Sequence, residues 1–203
     1  MIIRAPDFIY EYCTRHNLDV VPKLEQYVKV LLSWNKKINL IGKSTEQNIW
    51  MRHILDCLQL IQYIKPGATV ADLGSGAGLP GVVLAITRLY NNTILVEKLS
   101  KKCTFLDHVV STLQIEDVCK ISNNNIQNLN LNVDYIVSRA TFDTEQFLTL
   151  PDTIKAKYIL LLKGTDIVSH IRILNKYNAK HEMFGSITNA KSVIIRIENY
   201  KLQ

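Results

Sequence analysis

The sequence lacks the features that would assign it to several large protein classes. Its four cysteines (Cys13, Cys57, Cys103 and Cys119) are scattered, with no CxxC pair and no histidine-rich partner motif. That argues against a disulfide scaffold or a zinc site and fits a reducing compartment. No uncharged apolar run approaches the roughly 18 residues that span a bilayer. Arg4, Pro6, Asp7 and Glu11 interrupt the N-terminus before an apolar leader segment can form, so no signal peptide is expected. There is no internal repeat. Asparagine is locally enriched from Asn123 to Asn132, and composition alone gives that run no role. The expectation left standing is a soluble, cytoplasmic, monomeric protein with no metal and no membrane.

What the sequence does contain is ordinary in amount. Its 203 residues make one generous domain, or one domain with a small appendage. The 47% hydrophobic and 21% charged fractions exclude a largely disordered chain, a collagen-like fibre and a coiled coil. The net charge of +6 is unevenly spread: residues 1–66 carry +3, residues 67–138 carry −1 and residues 139–203 carry +4. Positive flanks around a neutral middle suit a polyanionic partner such as nucleic acid, which gains from counterion release.

Hydrophobic periodicity predicts amphipathic helices over 7–17 and 22–34, the second with Leu24, Tyr27, Val28, Leu31 and Leu32 on one face and Pro22 in its first turn. Ser44-Thr45-Glu46-Gln47 resembles a capping box opening a helix through Arg52, and a short helix follows at 55–63. Lys65-Pro66-Gly67 then marks a boundary, dividing a helical N-terminal segment (1–66) from a ligand-binding domain (67–203). Strands are predicted at 69–73, 93–97, 117–121, 134–138, 158–162, 179–184 and 192–198. Helices are predicted at 80–90, 101–113, 144–149 and 166–177. Strand-helix alternation implies a doubly wound α/β fold with a mostly parallel seven-stranded sheet. The last two strands, with no long helix between them, imply an antiparallel hairpin at the sheet edge.

The most informative stretch is Val70-Ala71-Asp72-Leu73-Gly74-Ser75-Gly76-Ala77-Gly78-Leu79-Pro80-Gly81. A short apolar strand enters a glycine turn that lets a ligand approach the main chain, and a helix leaves it. Glu97, about 20 residues on, stands where a carboxylate accepts hydrogen bonds from both hydroxyls of a ribose. A nucleoside cofactor follows, and two candidates share the geometry. Gly76 to Gly81 satisfies the GxGxxG of a dinucleotide site, so an NAD-dependent oxidoreductase stays open. Against it, Asp72 repels a pyrophosphate, and Pro80 removes a backbone donor that a helix start would aim at phosphate. S-adenosylmethionine carries a sulfonium, an ammonium and no phosphate, and gains from Asp72. Too little chain remains for a separate dehydrogenase substrate domain.

An ordered set of blocks carries a resemblance over residues 25–165. These are Leu32-Ser33-Trp34-Asn35-Lys36-Lys37-Ile38-Asn39-Leu40, Arg52-His53-Ile54-Leu55-Asp56, the glycine loop, Glu97 with Lys101-Lys102-Cys103-Thr104-Phe105-Leu106, Ser138-Arg139-Ala140 and Leu161-Leu162-Lys163-Gly164. The set resembles the RsmG (GidB) family of bacterial small-subunit ribosomal RNA methyltransferases. The resemblance implies a class I (Rossmann-like) methyltransferase that transfers a methyl group from S-adenosylmethionine to guanine N7 in 16S rRNA, with 16S rRNA or the 30S subunit as partner. It also implies cofactor contacts at Gly74 and Leu79, within a loop that includes Gly76 and Gly78, and at Arg139. A further contact near the adenine falls at Asn125 and Ile126. There the family's Arg-Ala-Glu stretch is replaced by Asn124-Asn125-Ile126-Gln127, which lacks both arginine and carboxylate. That substitution gives standing to a third reading, a non-catalytic RNA-binding protein on the same fold.

The chemistry agrees with an N7 acceptor. Guanine N7 has a free lone pair and no proton, so no general base is required, and no catalytic side chain is expected. No cysteine has the Pro-Cys setting of a pyrimidine C5 methyltransferase, and the fourth strand lacks the (Asp/Asn)-Pro-Pro-(Tyr/Phe) motif of adenine N6 enzymes. Lys163 and Arg52 are candidates to approach guanine O6 or a phosphate, and His53 is a candidate to orient the substrate. Trp34 and Trp50 are expected in the core.

Overall fold

The computed structural model describes residues 3–139, 143–164 and 166–198. Seven strands form one sheet: β1 (Thr69–Leu73), β2 (Asn92–Val96), β3 (Cys119–Ser122), β4 (Leu131–Arg139), β5 (Ile154–Lys163), β6 (His181–Gly185) and β7 (Val193–Glu198). Their order is β3-β2-β1-β4-β5-β7-β6. The first five pair in parallel, and β7 pairs antiparallel with both β5 and β6. The hairpin is therefore at the edge as expected, with the last strand lying between β5 and β6 and β6 outermost. β4 and β5 begin earlier than their apolar stretches suggest, at Leu131 and Ile154.

Parallel strands need crossovers, and helices supply them: α4 (Gly81–Thr87), α5 (Ser100–Leu113), α6 (Thr144–Leu148) and α7 (Ile167–Lys176). α4 stops short of the expected end because Arg88 turns left-handed at φ 54°, where its guanidinium reaches Asp117 and the Gln114 carbonyl. Strand residues alternate between layers, as a pleat requires. Ala71 and Leu73 pack with α6 and α7 through Phe147, Leu148 and Leu174. Val70 faces the other side with Leu84 of α4 and Val137.

The N-terminal helices α1 (Asp7–Arg15) and α2 (Val21–Asn35) lie on the α4/α5 layer. Leu24, Tyr27, Val28 and Leu31 of α2 are buried with Phe105, Val109 and Val82, while Leu32 is only half-buried at the margin. Pro22 sits in the first turn of α2, where its missing N–H costs no intrahelical bond.

The next segment departs from the regular helices expected of it. It runs as a 3₁₀ stretch (Lys43–Asn48), a π-helical turn (Trp50–Leu55), one α-turn, α3 (Asp56–Leu58), and a second 3₁₀ stretch (Gln59–Gln62). Ser44 does not cap it. Glu46 is engaged by the Asn35 side-chain amide at 2.6 Å, and the Thr45 hydroxyl donates back to the Gly42 carbonyl. A capping box does form at the start of α6, between Asp143 and Gln146.

β1 has β2 on one side and β4 on the other, so the chain leaves its C-terminal end in opposite directions. Sheets of this kind open a ligand crevice at that point. The turn leaving β1 is closely packed. A side chain at Gly81 would collide with Leu95 of β2 and come within 2.8 Å of the Asp72 Cβ. Gly81→Ala is expected to destabilise the fold by about 1–3 kcal/mol, lowering the thermal midpoint by on the order of 5 °C. Differential scanning calorimetry of the two chains checks this, and an unchanged midpoint would contradict the packing.

Candidate functional site

The crevice after β1 is a cavity of about 560 Å³, within the range that takes a small-molecule cofactor. The ends of three strands form its floor, at Gly74 after β1, Val96 closing β2 with Glu97 after it, and Arg139 closing β4. Its remaining walls come from Leu40 to Gly42, from Asn124 to Gln127, and from α6 with the residues after it. The connected segment Ala140 lies outside the described residues.

The glycine turn has its shape for reasons that differ by position. Gly74, Gly76 and Gly78 all have positive φ, at 77°, 55° and 83°, which disfavours other L-residues. At Gly76 a Cβ would meet only ordinary contacts, with the Gly74 carbonyl and the Lys102 ammonium, so the backbone angle is the constraint. At Gly78 a Cβ would also strike Val82 and come within 3.1 Å of Leu106, so this glycine permits close packing of α4 and α5. The N–H groups of Gly74 and Ser75 donate to the Val96 carbonyl, and that of Gly76 to Glu97 Oε2 at 3.0 Å. Glu97 Oε1 accepts from the Leu99 N–H at 2.9 Å. Its carboxylate, only 6% exposed, is thus pinned by two backbone donors while lining the cavity. Each oxygen retains acceptor capacity for a sugar hydroxyl.

Most of the expected site residues converge. Gly74, Gly76, Leu79, Glu97, Asn125, Ile126, Arg139 and His53 all line the cavity. Four do not. Gly78 serves the helix packing just described. Asp72 is fully buried beneath the turn, where its Oδ2 accepts the Gly81 N–H at 2.9 Å and its Oδ1 has no partner. Burial pushes its pKa up to about 7, so it holds the turn rather than facing a ligand as a full counter-charge. Arg52 turns its side chain to solvent and offers its carbonyl instead. Lys163 ends β5, one strand further out, with its ammonium 5.8 Å from the ring centre of Phe147; it is Phe147 that lines the cavity. Burial lowers the Lys163 pKa.

Arg139 is firmly held. Its Nη1 donates to the Arg52 carbonyl at 3.1 Å and to His53 Nδ1 at 2.8 Å, and lies 3.8 Å from Asp56 Oδ2. Burial, together with the Arg139 and Arg52 charges, lowers the His53 pKa to about 3. The imidazole is therefore neutral.

Several contributors carried no functional signal in the sequence. Asn35 is buried with every polar position satisfied: Nδ2 donates to the Ile41 carbonyl and Glu46, and Oδ1 accepts the Leu40 and Ile41 N–H groups. It shapes the Leu40–Gly42 wall from within a motif that resemblance alone had singled out. Tyr27 donates its hydroxyl to the Ala77 carbonyl at 2.6 Å, tying α2 to the glycine turn. Its place on an apolar helix face made it look purely structural. At the rim stand Lys98 and exposed Leu99, with Lys102 beside them.

A family model described as rRNA small subunit methyltransferase G matches residues 20–195. The chain is 40% identical over 183 residues to the Ribosomal RNA small subunit methyltransferase G of Orientia tsutsugamushi (strain Ikeda), covering 87% of this chain and 89% of the relative. It is 36% identical over 191 residues to the protein of that name from Rickettsia bellii (strain OSU 85-389), covering 89% and 94%. Among solved structures, the fold is shared with a SAM-dependent methyltransferase from Aquifex aeolicus (TM-score 0.61, 14% identity, 76% of this chain and 94% of that one). It is also shared with M. capricolum TrmK in complex with S-adenosyl-homocysteine (TM-score 0.56, 12% identity, 71% and 67%).

The raised Asp72 pKa has a direct consequence for stability. Between the ordinary value of 3.8 and about 7 the folded chain keeps a proton that the unfolded chain releases. This contribution is complete below pH 3.8 and is lost as pH rises through 7. Asp72→Asn, which can still accept from Gly81, should therefore gain stability relative to the parent as pH goes from 5 to 8. Urea unfolding midpoints at the two pH values measure this, and a pH-independent difference would refute it.

Proposed function

The chain belongs to the rRNA small subunit methyltransferase G family, and from that premise we propose that it is a cytoplasmic enzyme transferring the methyl group of S-adenosylmethionine to guanine N7 in 16S rRNA. The observation that carries the reading is the Glu97 carboxylate, pinned beside the Gly74–Gly76 turn in the cavity wall. That pairing suits a ribose lying against bare backbone. The residues present fit the cofactor: an acceptor for the sugar hydroxyls, the main chain of the turn, and apolar Leu79, Leu99 and Ile126 along the wall.

When bound, S-adenosylmethionine supplies a methyl carbon already activated by its sulfonium. The tasks left to the protein are alignment and exclusion of water. Guanine N7 needs no deprotonation, which accords with a neutral His53 whose ring nitrogens both lie in hydrogen bonds. The dinucleotide reading fares poorly because the Gly81 N–H, at the start of α4, is engaged by Asp72. A pyrophosphate would compete for that donor against a buried carboxyl group.

Charge at the mouth supports an RNA substrate. Lys98 and Lys102 line the cavity and Lys43 follows its Leu40–Gly42 wall. No ion pair among the described residues involves them. Uncompensated cations at an opening attract a phosphate backbone.

Incubation with labelled S-adenosylmethionine and 30S subunits, followed by mass-spectrometric mapping of the rRNA, should place the label on N7 of a guanine. Label on protein, or cofactor binding without transfer, would refute the reading. The double variant Lys98→Gln/Lys102→Gln should raise KM for 30S subunits several-fold and flatten the salt dependence of RNA binding by about one to two in the log–log slope. An unchanged slope would remove these lysines from the RNA interface.

A further inference from the structure

We propose that His53 is a positioning residue, a neutral imidazole locked in one tautomer that ties the Arg139 guanidinium to the Gly42 wall of the cavity. The directions of the hydrogen bonds force this. Arginine only donates, so His53 Nδ1, 2.8 Å from Arg139 Nη1, accepts. The ring proton therefore resides on Nε2, which donates to Thr45 Oγ1 at 2.8 Å. The Thr45 hydroxyl in turn donates to the Gly42 carbonyl at 2.7 Å. A single directed chain thus runs from guanidinium through imidazole and hydroxyl to carbonyl. Arg139, His53 and Gly42 all line the cavity, so the chain joins its β4 floor to its opposite wall.

The backbone around His53 is suited to this task. The π-helical turn Trp50–Leu55 closes i→i+5 hydrogen bonds and so puts more residues in a turn than an α-helix, and such turns recur at functional sites. Here it presents the Arg52 carbonyl and the His53 ring side by side to the same Nη1. Asp56 closes the group with Oδ2 3.8 Å from Nη1, while its Oδ1 accepts from Thr188 and Gln59. The charges facing the ring are Arg139 from β4 and Arg52 from its own turn, and Asp56 faces Arg139. A second ring proton would set Nδ1–H against an arginine N–H, breaking the chain at its first link. Neither nitrogen is placed to take a proton from a substrate, so His53 acts through Arg139 and not on the reacting atoms.

The functional half of this inference rests on the cavity being the cofactor site, and the experiment separates the two. Nitrogen NMR of histidine-labelled protein without ligand should show Nδ1 unprotonated and Nε2 protonated, unchanged from pH 7.5 to 5. A ring titrating near pH 6.5, or the opposite tautomer, would overturn the proposal. His53→Asn sets a carbonyl oxygen near the Nδ1 position and keeps the acceptor for Arg139. His53→Gln sets an amide near Nε2 and keeps only the Thr45 link. In calorimetry, His53→Asn should hold S-adenosylhomocysteine affinity within about three-fold, and His53→Gln should lose about ten- to hundred-fold, at similar melting temperatures. Equal losses that track melting temperature would overturn the positioning role. Failure of the parent chain to bind S-adenosylhomocysteine would sink the cofactor reading alone, because the tautomer is read without any ligand.

Discussion

Two carboxyl groups grip the turn after β1 from opposite sides. Glu97, on the cavity side, accepts the Gly76 N–H; Asp72, in the interior, accepts the Gly81 N–H. Between them the backbone passes through three left-handed glycines and cannot drift toward either neighbour without stranding a buried acceptor. Leaving such a group unpaired costs more than a typical hydrogen bond stabilises. Glu97 is itself fixed by a second backbone donor, the Leu99 N–H, so the end of β2 and the end of β1 form one rigid corner. The cavity, the start of α4 and the approach of α5 through Gly78 are all referenced to that corner.

The N-terminal helices are as much a part of the site as the sheet. Tyr27 reaches from α2 to the Ala77 carbonyl, and Asn35 at the end of α2 braces the Leu40–Gly42 wall with three hydrogen bonds and donates a fourth to Glu46. The irregular helical segment that follows presents a carbonyl, an imidazole and a carboxylate to Arg139. Through Asp56 and Gln59 it also grips the turn between β6 and β7 at Ser186, Ile187 and Thr188. A residue at the floor of the cavity is thereby connected to the far hairpin by a short series of directed polar contacts.

Much of this was legible from local pattern. Alternating and continuous apolar runs located the strands, and the glycine turn with Glu97 located the ligand crevice, because those features depend on backbone angles and pleat periodicity that neighbouring residues impose. The roles of Asp72, Arg52 and Lys163 were not legible. Asp72 and Glu97 are both carboxylates at strand ends, yet one turns inward and the other lines the cavity. Which face a side chain takes at the last residues of a strand depends on what packs there, here Gly81 and the start of α4. Lys163 lies over the Phe147 ring of α6, and Phe147 rather than Lys163 lines the cavity. The Ser44 capping signal failed because the stretch starts at Gly42, whose carbonyl accepts both the N–H and the hydroxyl of Thr45.

The sequence by itself determined the doubly wound class, the strand-turn-helix unit that makes the crevice, and the family, since each is written in short-range periodicity or in ordered blocks of residues. Only the tertiary structure decided the placement of β7 between β5 and β6, the burial of Asp72, and the assembly of Arg139 with His53, Thr45 and Gly42. Those outcomes join residues far apart in the chain, and no local preference specifies them. They follow from which donors and acceptors can be paired across the chain once the hydrophobic layers have closed.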